Sequence, residues 1–516
     1  MMETMTEAPA QASERLNTAQ GRAVLVGVFL IAACGLIYEL LIGTLSSYLF
    51  GNSVAHFSIT IGLFMSAMGL GSLASRLVQT QVLRWFLLVE LGVAALGGIS
   101  VALLYGAFAL TEVYHLAMGV LILSIGTLIG MEIPLVLRLL GGWGALRHTL
   151  GNVLALDYLG ALVASVLFPL LLLPLVGVLH TALVTGLLNL LVVGVLLHLF
   201  RAHRAATRGL KLGAAVLAVG LLAGLIWASS FQSFVDQRLY RDPIILTEQT
   251  RYQRVVLTRW QDDLRLFLDG NLQFSALDEH RYHDLLVHPA MAFSASRQEV
   301  LLLGGGDGLA LREVLRYPDV ERVVLVDLDP AVTDLARTHP LLRTLNQDAL
   351  ADPRVEVINQ DAFAYLRDNA ALYGVILIDL PDPNNESLGK LYTRAFYRLA
   401  QRHLAVGGYL VTQATSPYAT RQAYWSIVQT MDAEGLATVP YHHYVPSFGQ
   451  WGFVLAGRQA PSGPLAPRVP MRHLTPALWE AARVFDSDTG PLPAAVNTLD
   501  HPVLLRYYHD GWRQHQ

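Results

Sequence analysis

The chain contains Val300-Leu-Leu-Leu-Gly-Gly-Gly-Asp-Gly308, a segment that carries more structural information than any other. An apolar run that enters a cluster of glycines predicts a buried strand and a tight turn, and a helix is expected at about 309–316. About 20 residues beyond the turn, a second apolar strand, Val323–Val326, ends at Asp327. This order predicts a nucleoside site, because glycines let the backbone approach a ligand and the second-strand carboxylate can bind ribose hydroxyls.

Asp307 is unusual for a glycine turn of this kind. Its negative charge would repel a phosphate group, which such loops otherwise bind at the start of the following helix. We therefore predict a ligand that carries positive charge at this point, and not a dinucleotide.

Strand and helix patterns alternate through residues 296–460. The predicted strands lie near 299–303, 322–327, 355–358, 374–379 and 408–413. Alternation at this spacing predicts a doubly wound parallel sheet of the Rossmann-like, methyltransferase type.

The segment before this sheet and the segment after it are different in character. Residues 252–257 and 264–268 favour short strands, and 278–292 favours a helix, so 231–295 is predicted to be a small β-strand domain followed by a helix. The tail, 461–516, is rich in proline at first and then weakly helical, with no chemistry that the sequence reveals.

The first part of the chain is far more apolar than the rest. Of 516 residues 53% are hydrophobic, and the mean hydropathy is +0.43, as is typical of a membrane protein. After a polar segment, 1–22, the region 23–230 is predicted to be a multi-pass α-helical membrane region ahead of the β and α/β domains. Its segments long enough to cross a bilayer are 23–47, 57–77, 83–105, 115–140, 155–176, 178–200 and 210–229.

Charge and cysteine content exclude several classes of partner. The net charge is −4, so the sequence gives no sign of the basic face that a nucleic acid would require. The single cysteine, Cys34, lies in an apolar run, which excludes an intrachain disulfide and a cysteine-based metal site. The sequence leaves open whether the chain forms a homo-oligomer.

Basic residues fall in alternate connections between the predicted spans, which places the N-terminus in the cytoplasm. Seven crossings would then put the C-terminal domain outside the cell, whereas an enzyme that uses a nucleoside is expected inside, where its substrates are made. The sequence leaves this conflict open, since one helix could be miscounted or re-entrant. The basic residues are Arg15 and Arg22, Arg76 and Arg84, Arg138 and Arg147, and then Arg201, Arg204, Arg208 and Lys211.

Five acids lie at the carboxyl ends of predicted strands or just beyond them. Any one of them could be a helix cap, but five at the edge where open parallel sheets bind ligands are poorly explained by capping. Neighbouring carboxylates repel each other unless a cation lies among them, so a polycationic ligand is predicted. No histidine and cysteine set accompanies the acids, which makes a metal centre the weaker explanation. The five are Asp307, Asp327, Asp361, Asp379 and Asp382.

An ordered set of motifs between about 252 and 457 resembles the spermidine synthase (polyamine aminopropyltransferase) family, and the preceding helices resemble its membrane-fused branch. The glycine turn alone would be weak evidence, whereas the combination is specific. The motifs are Gly304-Gly-Gly-Asp-Gly308 with Arg312-Glu313, Leu268-Asp-Gly-Asn-Leu-Gln273, Asp278-Glu279 with Tyr282-His283, and Val411-Thr-Gln413.

The resemblance implies an activity. The family transfers an aminopropyl group from decarboxylated S-adenosylmethionine to putrescine and releases methylthioadenosine. The donor is a co-substrate, and no prosthetic group is expected. The reaction is a direct in-line displacement, so positioning and charge complementarity should supply most of the acceleration.

The resemblance also implies residue roles. Gln253 and Asp327 would hold the nucleoside, and Asp361 the adenine amine. Asp307 would face the donor ammonium group. The implied donor-binding residues are Gln253, Gly304, Gly306, Asp307, Asp327 and Asp361.

The acceptor amine must be neutral to attack, so a carboxylate such as Asp379 would take or orient its proton, with Tyr282. His283, Asp382 and Gln413 would line the amine site with them. Each also has an ordinary interpretation, since Tyr282 and His283 could be packed helix residues and Gln413 could satisfy a sheet edge. Arg312 and Glu313 are expected to support the glycine loop without touching substrate.

The chain departs from the family pattern at the acceptor end. Leu380-Pro381 stands between the two aspartates, where small hydroxyl residues are usual. A late tyrosine, expected just before Trp-Gly-Phe, is out of register in Tyr444-Val-Pro-Ser-Phe-Gly-Gln-Trp-Gly-Phe453. Donor binding is therefore the firmer expectation, and putrescine as acceptor is the weaker one.

Two other functions fit part of the pattern. An S-adenosylmethionine methyltransferase would share the sheet, the glycine turn and the ribose acid, but Asp307 would repel the carboxylate of the intact donor. A polyamine transporter or sensor would explain acids within or at the edge of predicted spans, which are costly in a membrane. Alternatively, these acids pair with Arg or Tyr neighbours or lie at interfaces, as Asp157 could at a helix start. The acids are Glu39, Glu90, Glu132 and Asp157.

Overall fold

The structure, a computed structural model, describes residues 18–50, 53–111, 113–141, 146–200 and 204–515. The predicted polar segment 1–22 therefore lies mostly outside the described residues. The chain divides into two compact units, a helical unit that ends at Arg241 and a second unit that begins at Asp242. The second contains every residue predicted for the site and is therefore named the catalytic unit.

In the helical unit, the described residues form seven helices that are long and apolar enough to cross a membrane, as predicted. Each predicted span falls on one of these helices. The helices are α1 (Thr18–Phe50), α2 (Ser53–Ala74), α3 (Val82–Leu110), α4 (Tyr114–Leu139), α5 (Leu146–Leu167), α6 (Val178–Leu199) and α7 (Arg204–Leu239).

Small residues allow α2 and α4 to pack closely. A Cβ atom added at Gly71 would lie 2.0 Å from the Thr127 carbonyl oxygen, and one at Gly130 would lie 2.1 Å from that of Met68. The two backbones therefore touch where neither could carry a side chain, which is how helices associate when lipid offers no hydrophobic driving force.

Two helix boundaries lie furthest from the predicted ones, the start of α5 and the end of α7. Helix α5 begins at Leu146, so Asp157 lies well inside it and not at a helix start. After α5 the chain continues in π-helical turns, Phe168–Val176, because Pro174 cannot donate to an α-helical ladder. The chain then turns at Gly177 (φ 79°), as expected. Helix α7 runs on to Leu239, past the predicted boundary at 230, because polar residues continue a helix that hydropathy alone would end.

The catalytic unit opens with a four-stranded antiparallel sheet in the order β1-β2-β3-β4. Strands β2 and β3 correspond to the two predicted strands, whereas β1 and β4 were not predicted. The strands are β1 (Ile244–Gln249), β2 (Arg254–Trp260), β3 (Asp263–Leu268) and β4 (Asn271–Ser275).

A helix, α8 (Glu279–Phe293), leads into a seven-stranded sheet with the order β10-β11-β9-β8-β5-β6-β7. Strands β5 to β9 pair in parallel as predicted, and the antiparallel pair β10 and β11 extends one edge. The strand order reverses between β5 and β8, which is where doubly wound sheets bind ligands. The strands are β5 (Glu299–Gly304), β6 (Arg322–Asp327), β7 (Val355–Asn359), β8 (Tyr373–Asp379), β9 (Leu404–Gln413), β10 (Ala437–Val445) and β11 (Gly449–Gly457).

Helices cover the sheet, and apolar side chains from its two faces form two separate hydrophobic cores. Central strands such as β5 and β8 are apolar throughout, as expected for strands buried on both faces. The helices are α9 (Leu309–Leu315), α10 (Pro330–Thr338), α11 (Pro340–Asn346), α12 (Ala362–Asp368), α13 (Glu386–Gly389), α14 (Arg394–Arg402), α15 (Arg421–Asp432), α16 (Pro476–Ala482) and α17 (Val503–Arg513).

Candidate active site

The turn after β5 has no room for side chains. Gly304 has a φ of 81°, and a Cβ atom there would lie 2.0 Å from the Asp379 carbonyl oxygen. At Gly306 a Cβ atom would lie 2.6 Å from Asp327 Oδ2. That carboxylate instead accepts hydrogen bonds from the backbone N–H groups of Gly306 (3.1 Å) and Asp329 (2.9 Å). The glycines thus bring the turn against the ends of β6 and β8.

A cavity of about 630 Å³ opens over this turn. Its size is that of a small-molecule site. All eleven residues predicted as catalytic, donor-binding or amine-binding line this one cavity. They are Gln253, Tyr282, His283, Gly304, Gly306, Asp307, Asp327, Asp361, Asp379, Asp382 and Gln413.

Four of the five predicted acids in the cavity, all except Asp361, hold protons more tightly than exposed carboxyls do. Burial is the largest cause, and it raises the pKa of Asp307, Asp327 and Asp382 to about 6. The neighbouring Asp379 raises the pKa of Asp307 further, and His283 opposes this. Such a cavity favours a cationic ligand, which would relieve both the repulsion and the loss of hydration.

Tyr282 and Asp379 form a direct pair. The Tyr282 hydroxyl donates a hydrogen bond to Asp379 Oδ1 (2.7 Å). Burial and the charge of Asp379 raise the pKa of Tyr282 well above its usual value, so the hydroxyl keeps its proton. Burial also raises the pKa of Asp379, although His283 and Tyr282 counteract it. The pair can therefore hold an amine proton at Asp379 while Tyr282 fixes the orientation of the carboxylate.

Behind this pair lies a buried ion network that sequence reasoning described only as support. His283 Nδ1 lies 2.9 Å from Glu279 Oε2, and Arg312 Nη2 lies 3.0 Å from the same oxygen. Burial lowers the pKa of His283, but its hydrogen bond to Glu279 and the nearby acids raise it to about 9. For Glu279, burial raises the pKa, but its hydrogen bond to His283 and the charges of His283 and Arg312 lower it to about 2. His283 therefore carries a positive charge beside the acids, and Arg312 acts as the expected support.

At one end of the cavity, the side chains of Gln253 and Asp361, both predicted to bind the donor, bind other groups of the protein. Gln253 Nε2 donates to Asp329 Oδ2 (3.1 Å), so it lies beside the residue that positions Asp327. Asp361 caps α12 through the Ala364 N–H (2.9 Å) and pairs with Lys390 Nζ (2.6 Å). Burial raises the pKa of Asp361, but Lys390 lowers it below the usual value. The capping interpretation is thus correct for Asp361, which still faces the cavity.

At the opposite end, Asp382 has a free acceptor atom. Its Oδ2 accepts a hydrogen bond from Thr415 Oγ1 (3.1 Å), whereas its buried Oδ1 has no hydrogen-bond partner among the described residues. Gln413 donates to the Leu380 carbonyl oxygen (2.7 Å) and accepts from the Thr415 N–H (3.0 Å). Gln413 therefore fixes the loop that carries Asp382, which agrees with its ordinary interpretation.

The C-terminal helix supplies residues that sequence reasoning missed. Tyr508 and Trp512 of α17 line the cavity, and the Tyr508 hydroxyl lies beside the Asp382 carboxyl group. Phe448 and Trp451, from the turn and strand after β10, also line it, and the Phe448 ring packs against Tyr282 with centroids 5.9 Å apart. The aromatic spacing of α17 was the one available signal for the helix, but it does not reveal which strand end the helix reaches.

Among the described residues, one set has the geometry to hold a metal ion, namely Asp284, His288 and Glu313. It does not line the cavity. Asp284 accepts the backbone N–H of His473 (2.6 Å), and Glu313 pairs with Arg312 and Arg316. Because two arginines compensate Glu313 and backbone N–H groups bind Asp284, the set behaves as part of the core.

Known proteins resemble this chain along nearly its whole length. Residues 279–462 match the family model described as "Spermine/spermidine synthase domain". A relative from Leptospira interrogans, named "Polyamine aminopropyltransferase", is 41% identical over 495 residues, which cover 95% of this chain and 99% of the relative. One from Streptomyces coelicolor, named "Polyamine aminopropyltransferase 1", is 45% identical over 506 residues, or 95% of each chain.

A solved structure described as "Crystal Structure of Spermidine Synthase in Complex with Transition State Analogue AdoDATO" covers 47% of this chain and 85% of its own. It is 24% identical, with a TM-score of 0.44.

Proposed function

The chain belongs to the polyamine aminopropyltransferase family, and from this premise we propose that it transfers the aminopropyl group of decarboxylated S-adenosylmethionine to putrescine. The products would be spermidine and methylthioadenosine. Membership of this family sets aside the alternative of methyl transfer. The observation that carries the choice of donor is the position of Asp307, a half-buried carboxylate inside the glycine turn that lines the cavity.

Charge complementarity explains the choice of a decarboxylated donor. The aminopropyl chain of this donor ends in an ammonium group, which Asp307 attracts. Intact S-adenosylmethionine carries a carboxylate on the same chain, and two anions in a buried site repel each other. Asp327, held by two backbone N–H groups, is placed to accept hydrogen bonds from the ribose hydroxyls.

The reaction itself is a displacement at carbon. The neutral nitrogen of the acceptor forms a bond to the aminopropyl carbon beside the sulfonium, and the carbon–sulfur bond breaks with its electron pair left on sulfur. The nitrogen then loses a proton, which the Asp379 carboxylate accepts. Meanwhile the Tyr282 hydroxyl keeps its hydrogen bond to Asp379 Oδ1. No covalent enzyme intermediate is required.

The far end of the acceptor is an ammonium ion that needs its own partner. Asp382 offers a buried oxygen without a hydrogen-bond partner in the described part of the chain, at the end of the cavity closed by α17. We assign the distal ammonium to Asp382, and assign to Tyr508 the task of holding this carboxylate in place.

The test is to identify the by-product. Purified full-length protein is incubated with decarboxylated or intact S-adenosylmethionine and with a panel of diamines, and the products are read by mass spectrometry. We expect methylthioadenosine and spermidine with the decarboxylated donor and putrescine. S-adenosylhomocysteine as the main product would overturn the proposal, and preference for another diamine would overturn the choice of acceptor alone.

We also propose that the chain is a multi-pass membrane protein whose catalytic unit lies in the cytoplasm, where its substrates are made. The seven helices support the first part. Placing a cysteine at the exposed Val406 tests the second part, since the native Cys34 is buried. A membrane-impermeant maleimide should label Val406→Cys only after cells are lysed. Labelling of intact cells would place the catalytic unit outside, as the arrangement of basic residues predicts.

A further inference from the structure

Two glutamates are buried inside the helical unit. Glu90 on α3 has a relative exposure of 0%, and Glu132 on α4 has 6%. Glu90 lies eight residues after the start of α3 at Val82, which is about 12 Å along the helix axis. Glu132 lies seven residues before the end of α4 at Leu139, which is about 10 Å along the axis, so neither residue is close to a helix end, where its charge could reach water.

Among the described residues, neither glutamate has a cationic partner. In the described part of the chain no ion pair involves them, and both Glu90 carboxylate oxygens and Glu132 Oε1 lack a hydrogen-bond partner. A carboxylate in such surroundings is expensive unless a cation compensates it. Of the alternative that these acids pair with Arg or Tyr neighbours or lie at interfaces, pairing with arginine is thus wrong for Glu90 and Glu132 within the described residues.

Two further polar groups converge on the glutamates from other helices. Tyr38 of α1 is fully buried, its hydroxyl has no partner among the described residues, and it lies within electrostatic range of both carboxyl groups. Asn189 of α6 lies beside Glu90 and donates through Nδ2 to the Glu90 backbone carbonyl (3.1 Å), which leaves its buried Oδ1 without a partner. The helices pack closely here, since a Cβ atom at Gly97 of α3 would lie 2.4 Å from the Tyr38 ring and one at Gly35 of α1 would lie 3.3 Å from Ile129 of α4. Four helices thus bring unpartnered polar atoms to the same region of the helical unit.

The unpartnered atoms share one chemistry. They are carboxylate oxygens, an amide oxygen and a phenol oxygen, all of which can accept hydrogen bonds. Asp157 on α5 adds a further negative charge within range of Glu132. A compact cation with several N–H groups would satisfy them, and an alkylammonium group offers three.

We propose that Glu90, Glu132, Tyr38 and Asn189 form a second amine site, which binds the ammonium group of a di- or polyamine inside the helical unit. This site is independent of the cavity where transfer occurs. The site would give the helices a function of their own. Amines are the expected ligands because, by the proposed reaction, the catalytic unit consumes one amine and produces another.

Equilibrium dialysis with radiolabelled putrescine tests the proposal on the purified full-length protein in lipid nanodiscs. The wild type should bind two amines per chain, one in each unit. Glu90→Gln and Glu132→Gln keep the shape of the side chain and remove its charge, and each should lose one of the two, with affinity at that site reduced at least about tenfold. Their aminopropyl transfer rates should stay within about twofold of wild type, which reports that the protein is folded.

Glu39→Gln is the matched control, because Glu39 is a partly exposed glutamate of α1, and it should retain both amines. Tyr38→Phe keeps both acids and should weaken the second amine severalfold. Unchanged stoichiometry in Glu90→Gln and Glu132→Gln would overturn the proposal. So would a second site that takes labelled sodium and leaves putrescine unbound. The readout is binding, so failure here leaves the transfer reaction untouched.

Discussion

Buried acids occur in both units of the molecule, but their surroundings differ. In the catalytic unit, Glu279 and Glu313 are buried against Arg312 and against histidines. In the helical unit, Glu90 and Glu132 are equally buried, and no cationic side chain of the described residues contacts them. Burial alone therefore does not distinguish a structural acid from a functional one. What distinguishes them is whether a cationic side chain among the described residues compensates the carboxylate.

The acids of the active-site cavity combine features of both groups. Asp327 is stabilised by backbone N–H groups and Asp361 by Lys390, whereas Asp382 keeps an oxygen without a partner. The two kinds of acid should respond in opposite ways to substitution. Removing the charge of Glu279 or Glu313 should destabilise the fold, whereas removing that of an acid that faces a ligand site should impair ligand binding or catalysis.

The largest effect is expected at Asp379. Asp379→Asn cannot accept the amine proton, and loss of a general base lowers kcat by roughly 10²–10⁴-fold. Donor affinity should change little, because Asp379 does not hold the nucleoside. Steady-state kinetics with donor titration measure both quantities, and Asp361→Asn is a control that should weaken donor binding instead. Unchanged turnover in Asp379→Asn would remove this residue from its role.

The comparison of paired and unpaired acids is tested by stability. Glu279→Gln leaves Arg312 with one carboxylate fewer. Breaking a buried ion pair lowers the free energy of unfolding by about 3–5 kcal/mol, so the thermal unfolding midpoint should fall by several degrees. Glu90→Gln removes an uncompensated charge and should not lower it. Tryptophan fluorescence during heating measures both variants. An equal loss of stability in the two would contradict the distinction drawn between them.

Asp307 should control the choice of donor. Asp307→Asn should lower kcat/KM for decarboxylated S-adenosylmethionine by about 10–100-fold, since a hydrogen bond to a charged group contributes about 1.5–3 kcal/mol. It should also bring the affinities of the decarboxylated and intact donors closer together, which calorimetry would show. Equal affinities already in the wild type would exclude selection by charge.

The same carboxylate predicts a pH dependence. Burial raises the pKa of Asp307 and Asp382 to about 6, so the carboxylates that bind cations are lost as pH falls through 6. Between pH 6 and pH 5, kcat/KM should drop at least about fivefold. The pH profile of wild type and Asp307→Asn, compared in the same buffers, tests this, and a flat profile in that window would contradict it.

The smallest effect is expected at Tyr508. Tyr508→Phe removes a hydroxyl that acts on the acceptor only through Asp382, so we expect the effect of one typical hydrogen bond, about 0.5–1.5 kcal/mol. The KM for the acceptor should rise about 2–10-fold with the donor KM unchanged. Tyr507→Phe, next to it on α17, is the matched control. A rise in donor KM alone would show that α17 acts at the other end of the cavity.

Much of this arrangement could be predicted from local sequence. The glycine turn, the acids at strand ends and the seven spans all depend on residues close together in the chain, and each has a pattern that burial or backbone geometry imposes. The parallel order of the strands follows from their alternation with helices.

Other features depend on pairing between distant segments, which no local pattern reports. Helix α17 contacts Asp382 although more than a hundred residues separate them in the chain. In the edge strand β10, polar and apolar residues alternate too irregularly to predict a strand, since Tyr444 is exposed and the strand contains Pro440. Similarly, no sequence pattern shows that Glu90 and Glu132 lie near Tyr38 and Asn189, or that no arginine of the described residues pairs with them.

Strands β5 and β8 pair side by side although more than sixty residues separate them in the chain, with Gly304 beside Asp379. Most groups assigned to the donor come from the continuous stretch 299–361, whereas the acceptor end is assembled from α8, β8, β9 and α17. Contacts between remote segments form slowly, because the chain between them must first be ordered. After dilution from denaturant, donor affinity should therefore return before turnover, and acceptor capture should be the last property to recover.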